Sequence, residues 1–148
     1  MLAAALILAA LGSFTSCERA DADNAHAQQV EATELIRTGQ SWDGAELPDY
    51  LAGRPELVAM KYVVPAGRKL GWHHHPVMNL GVLVQGELTI FSQDGKQKVV
   101  HEGEAVVETV ETIHHGENNG TKAAILYVFY LSQKDRPLAV QHPEMPLE

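Results

Sequence analysis

The chain has 148 residues, a length that suits one domain with a sizeable core, and a formal net charge of -8. No basic run breaks the acidic balance, which argues against nucleic acid as a partner. A single cysteine excludes an internal disulfide and any multi-cysteine metal site, whereas eight histidines are an ample stock of imidazole.

Residues 1–14 read MLAAALILAALGSF, an apolar run too short to span a bilayer and stop there, which resembles the h-region of a secretory signal. Thr15-Ser16-Cys17 resembles the end of a bacterial lipobox, with two departures: no Lys or Arg precedes the apolar run, and Phe14 stands where Leu is preferred. The expectation is a signal over residues 1–17 and export to the periplasm. Cys17 is then either lipidated, anchoring the mature chain to the membrane, or close to a simple cleavage site. Residues 18–29, ERADADNAHAQQ, are polar without a periodic apolar face and predict a flexible linker. Residues 30–148 form the folded domain.

From residue 30 onward β signals dominate. Residues 34–38 are a short strand candidate, and residues 39–53, with Gly, Pro and Asp, predict a loop holding one short strand near 46–50. Residues 56–64 are apolar and β-branched and end at the turn Pro65-Ala66-Gly67. Residues 70–75 and 78–85 are strands separated by Pro76, which belongs at an edge or a bend. Gly86 lets the chain turn into residues 87–91, Asp94-Gly95 signals a hairpin, and residues 96–101 return. Strands follow at 105–109, at 113–117 and, after Asn118-Asn119-Gly120, at 123–131; the tail, 132–148, carries three prolines and is expected to pack over the surface. Eight or nine short strands and no amphipathic helix predict an all-β sandwich or barrel.

Three histidines stand together at 73–75. Side chains two apart on a strand share a face, about 6.6 Å apart at the backbone, so His73 and His75 can meet one ion while His74 faces away. The same alternation turns His115 away from His114, and sets Trp72 with His74.

The spacing of these residues resembles the cupin superfamily. Gly67, five residues, His73-x-His75, three residues, Asn79, six residues and Gly86 reproduce the first cupin motif, with Asn79 in place of its Glu. Gly103, five residues, Thr109-Val110-Glu111, two residues, His114, three residues and Asn118 reproduce the second, with Thr109 and Glu111 in place of its Pro and Gly. The resemblance covers residues 56–131 and implies an all-β double-stranded β-helix, the jelly-roll barrel. It also implies that His73, His75 and His114 ligate a divalent transition metal inside the barrel (Fe, Zn, Ni, Cu or Mn), with Asn79 at the place of the fourth ligand.

Three neutral imidazoles suit such ions and leave coordination positions open. Without a carboxylate the site keeps a charge of about +2 rather than about +1, which strengthens the ion as a Lewis acid, favours an anionic or chelating ligand, and costs a hard ion such as Mn most. Asn79 either offers its amide oxygen to the ion or lines the wall as a hydrogen-bonding residue. Gln85 shares the parity of Asn79 and is a candidate for lining the cavity, and Met60, Tyr62, Tyr127 and Phe129 are candidates for its floor, against a plain core role. Glu104, Glu108, Glu111 and Glu117 read as a solvated face, although one turned inward can serve as a base. His26, His101 and His142 read as exposed polar residues.

Three functions compete. One is a metal-dependent enzyme acting on a small molecule, dioxygenase-like or an isomerase or hydrolase. The second is a non-catalytic module that holds a small ligand or a metal, and the third a metal-free degenerate cupin. Edge strands also imply a homodimer, with the segment around Leu35 and residues 136–140 as its contacts.

Overall fold

The computed structural model describes residues 30–147. The expected signal, Cys17, linker and His26 lie outside the described residues. Within the compact unit Glu34–Glu148, nine strands follow one another: β1 (Pro55–Val64), β2 (His73–His74), β3 (Met78–Gln85), β4 (Glu87–Ser92), β5 (Gln97–His101), β6 (Ala105–Val107), β7 (His114–Glu117), β8 (Ala124–Gln133) and β9 (Val140–Gln141). No helix occurs among the described residues.

The strands form two antiparallel sheets, β1-β8-β3-β6 and β5-β4-β7-β2-β9. This is the all-β sandwich that the strand spacing predicts and the jelly-roll that the resemblance implies. Alternation along β3 and β8 explains the packing. Gly81, Leu83, Leu126, Val128 and Tyr130 turn inward and join Leu88 and Ile90 of the facing sheet in one apolar core. At about 25 cal/mol per Å² of apolar surface, that shared burial dominates the stability of the sandwich.

Two junctions fix the strands that frame the site. Gly86 joins β3 to β4 at φ +83°, and a Cβ there would sit 2.9 Å from the Ala123 carbonyl oxygen, so only glycine fits without strain. Asn118, fully buried after β7, donates through Nδ2 to the Val64 and Lys122 carbonyls at 2.8 Å each, and its Oδ1 accepts from Gly120 N at 3.0 Å. These bonds tie the end of β1 to the β7–β8 turn.

Some expectations need correction. Residues 34–38 form no strand, and residues 46–50 contribute a single bridge, Gln40 to Glu46. Both segments lack the continuous apolar alternation that holds a strand in a sheet. The tail does more than cover the surface, because β9 pairs with β2, His73 opposite Gln141 and His74 opposite Val140. A two-residue strand is too short to announce itself in sequence.

Candidate metal centre

The site is built where β2 lies between β7 and β9. His73 and His114 are register partners across β2 and β7. Alternation then turns His74 outward and brings His75 back to the inner side. His75 is held by a parallel bridge to Val110 and by its carbonyl, which accepts from Glu111 N at 2.9 Å. The ring centroids of His73, His75 and His114 lie 4.5 to 5.1 Å apart, and one ligand nitrogen from each lies within 4.8 Å of the others. The outward pair behaves as alternation requires. His115 lies against Trp72 and stacks on Phe91, with ring centroids 4.2 and 5.2 Å away, and His74 meets His142 Nε2 through its Nδ1 at 2.8 Å.

Backbone carbonyls decide which nitrogen of each inward ring carries a proton. His73 Nδ1 lies 2.8 Å from Gly71 O, His75 Nδ1 2.7 Å from Leu138 O, and His114 Nδ1 2.9 Å from Thr112 O. A carbonyl oxygen only accepts, so each Nδ1 donates and Nε2 is the nitrogen left for the cavity. Thr109 Oγ1, 3.0 Å from His114 Nδ1, adds a second contact on that ring. His75 Nε2 and His114 Nε2 are buried without an aligned hydrogen-bond partner.

The structure adds a carboxylate that the spacing of the motifs does not reveal. Glu108, just past β6, is buried at 8% exposure, and its Oε2 lies 2.7 Å from His75 Nε2. The contact is short, yet it lacks the alignment of a hydrogen bond. The expectation of a solvated acidic face therefore fails at Glu108. It holds at Glu104 and Glu111, which are exposed. Glu117 is partly buried and pairs with Lys69 at 2.8 Å.

Burial penalises charge on every group of the cluster. It pulls His73 down to about 4 and lowers His114 as well. Burial acts on His75 in the same direction, but Glu108 outweighs it and leaves His75 above its ordinary value. Burial would raise Glu108, and His75 outweighs it and holds the carboxyl at about 2. Glu108 thus favours protonation of His75, on the side that a cation would take.

Glu108, His73, His114, Tyr62 and Tyr130 line a cavity of about 30 Å³. That is room for about one or two water-sized groups. Tyr130 is 2% exposed, its hydroxyl is 3.0 Å from that of Tyr62, and burial raises its pKa, so it stays protonated as a donor. Asn79 faces inward on β3 opposite Tyr130 at 2% exposure; both of its amide atoms lack a partner, and it does not line this cavity.

Of the other candidates, Tyr62 lines the cavity and four residues do not. Tyr127 and Phe129 lie on the outer face of β8, 39% and 46% exposed, because the inward parity of that strand belongs to Leu126, Val128 and Tyr130. Met60 shares the parity of Tyr62 but sits on edge strand β1 at 39% exposure, away from the cavity. Gln85 donates to the Ala123 carbonyl at 3.0 Å beside the register shift in β3, a structural bond.

The donor set fits a divalent transition ion: three imidazoles with fixed tautomers, two orphaned Nε2 atoms and a buried carboxylate. With Glu108 counted, the charge of an occupied site is about +1, not the +2 expected from the motif alone.

Residues 60–130 match the family described as Cupin domain. The chain belongs to the cupin superfamily. Solved structures agree in fold. DMSP lyase DddQ from Ruegeria pomeroyi DSS-3 superposes with a TM-score of 0.54 at 19% identity, covering 61% of this cupin and 45% of that chain. Oxalate oxidase in complex with the substrate analogue glycolate gives 0.52 at 25% identity, covering 59% and 46%. The cupin thus spans less than half the length of either. No curated protein matches it in sequence.

Proposed function

We propose that this cupin is an exported, metal-dependent enzyme for a small anionic or chelating molecule, its ion held by His73, His75 and His114. One observation carries the reading. Each of the three rings donates its Nδ1 proton to a backbone carbonyl, so that its Nε2 is committed to the shared interior. A neutral imidazole packed that way without an ion leaves a buried acceptor unsatisfied, as at His114 Nε2, a cost of about 1–3 kcal/mol.

Bound there, a divalent ion supplies Lewis acidity to an oxygen of the molecule that meets it. The residues supply the rest. Tyr130, kept protonated, holds a hydrogen-bond donor at its hydroxyl for an anionic oxygen. The apolar wall of Leu70, Leu88 and Ile90 limits water. A cavity of about 30 Å³ admits only the donor oxygens of a substrate, which selects a carboxylate or hydroxy-carboxylate head. Glycolate, the analogue bound in the oxalate oxidase, belongs to that class.

Elemental analysis of protein purified without chelator, beside His75→Ala, tests the ion. About one equivalent in the wild type and a large loss in the variant are expected; no metal in either overturns the proposal. A turnover and O₂-uptake screen of the loaded protein with small acids and diketones tests catalysis, and a bound ion without turnover on any of them leaves a carrier in place of an enzyme.

The residues MLAAALILAALGSFTSC support export to the periplasm with lipidation at Cys17. A homodimer is proposed through open sheet edges. Of the segments expected to form it, Leu35 is exposed outside any strand, and Val140 already pairs with His74.

A further inference from the structure

We propose that Glu108 is the fourth protein ligand of the ion, supplying from the loop after β6 the carboxylate that position 79 lacks; this rests on the three-histidine reading above. Position 79 carries an amide on β3, and its Oδ1 and Nδ2 meet no partner. Glu108 carries a carboxylate, is buried, and lines the cavity together with His73 and His114.

Distance to His75 favours the assignment. Two ligands about 2.1 Å from one ion stand about 3.0 Å apart at right angles and about 3.4 Å apart in a tetrahedron. Glu108 Oε2 and His75 Nε2 stand 2.7 Å apart, so the pair needs to open by less than about 1 Å to reach ligand spacing.

Charge favours it too. A buried carboxylate needs a cation, since an uncompensated one costs several kcal/mol. Glu108 is buried beside His75, and an ion held by the three imidazoles would place a positive charge within reach of it. Local chain geometry holds the carboxylate there. Thr109, the next residue, contacts His114 Nδ1, and Glu111 N bonds His75 O, so one short loop supplies the carboxylate and steadies two of the histidines.

The test is metal affinity of the full chain, measured with Zn(II) and Co(II) by competition against a chromophoric chelator. Removing groups that merely orient ligands costs about 10–100-fold, so Glu108→Gln is expected to weaken binding by about 100-fold or more and to alter the visible Co(II) spectrum. Asn79→Ala is expected to stay within about threefold of wild type, below that range. Equal affinity and spectra for Glu108→Gln and wild type overturn the assignment, and so does a loss confined to Asn79→Ala. A measurement on the wild type guards against misfolding of the variant. In protein carrying ¹³C-labelled glutamate, adding Zn(II) is expected to shift a carboxylate antisymmetric stretch in the infrared difference spectrum, and an unchanged carboxylate region also overturns the assignment. A wild type that binds neither ion would defeat the metal centre itself, a result distinct from either.

Discussion

The proton stoichiometry of metal binding is the sharpest consequence of the site's electrostatics. If the three histidines titrated at their ordinary value near 6.5, each would be almost fully protonated at pH 5 and mostly neutral at pH 7, and the apparent affinity would fall about 10⁴-fold across that interval. The structure predicts a much shallower dependence. Burial holds His73 at about 4, so that ring stays largely neutral through the interval, and it lowers His114 as well, which reduces the protons that ring must lose. Glu108, at about 2, is ionised throughout. Of the three ligands only His75 is raised, so His75 accounts for most of the protons lost on binding. The sign follows: affinity rises with pH until it passes the raised pKa of His75 and is flat beyond it. One proton bounds the loss at tenfold per pH unit, about 100-fold from pH 7 to 5. Titration calorimetry at pH 6 in buffers of different ionisation enthalpy counts the protons released. One is expected; two or more, or a loss beyond about 10³-fold by pH 5, would refute the burial of His73 and His114 as described.

Four further outcomes are expected. Gly86→Ala should destabilise the fold by about 2–3 kcal/mol in urea unfolding, since it places a Cβ 2.9 Å from a carbonyl oxygen at φ +83°; a change under about 0.5 kcal/mol would contradict the packing at the β3–β4 junction. Thr109→Val keeps the shape but removes a contact on His114 Nδ1, and should weaken metal binding about tenfold, the low end for an orienting group, because Thr112 O remains. Glu111 holds φ +62°, a conformation costing a side-chain residue about 1–2 kcal/mol. Glu111→Gly should therefore raise stability by up to about 1 kcal/mol, the gain being reduced by the entropy of an unfolded glycine and the loss of the His74 contact. Cys17→Ser should abolish incorporation of labelled fatty acid and move the protein from the membrane to the soluble periplasmic fraction; an unchanged distribution would count against the anchor.

How far the site could be read from the sequence depended on the kind of signal each residue carries. His73 and His75 were legible because two-residue alternation is a property of any strand, and His114 because the resemblance supplied its spacing. β8 was legible as a strand, but its facing was not. AILYVFYLSQ is apolar at both parities, so periodicity cannot choose between Tyr127 and Tyr130, and Tyr130 is the residue that reaches the cavity. The choice is made by register: Asn79 opposite Tyr130 and Gly81 opposite Val128 set that parity on the same side as the inward face of β3. Leu138, whose carbonyl fixes the tautomer of His75, acts through its backbone. Residue identity leaves no trace of such a role, and the two-residue strand that brings the tail to β2 is equally silent.

Glu108 was hidden for a different reason. It is one of four glutamates between 104 and 117, and nothing in their spacing separates a buried carboxylate from three that meet water or a lysine. A usable signal lay in the apolar neighbours. Val106 and Glu108 share a parity on a strand, and Val106 is 3% exposed, so continuing the alternation past β6 carries Glu108 inward. The missing glutamate at position 79 directs attention to that position, whereas the requirement is for a negative charge anywhere within reach of the ion. A motif records where relatives place a carboxylate. The physics constrains its distance from the ion and its burial, and a carboxylate 2.7 Å from His75 at 8% exposure is placed for both from the loop after β6.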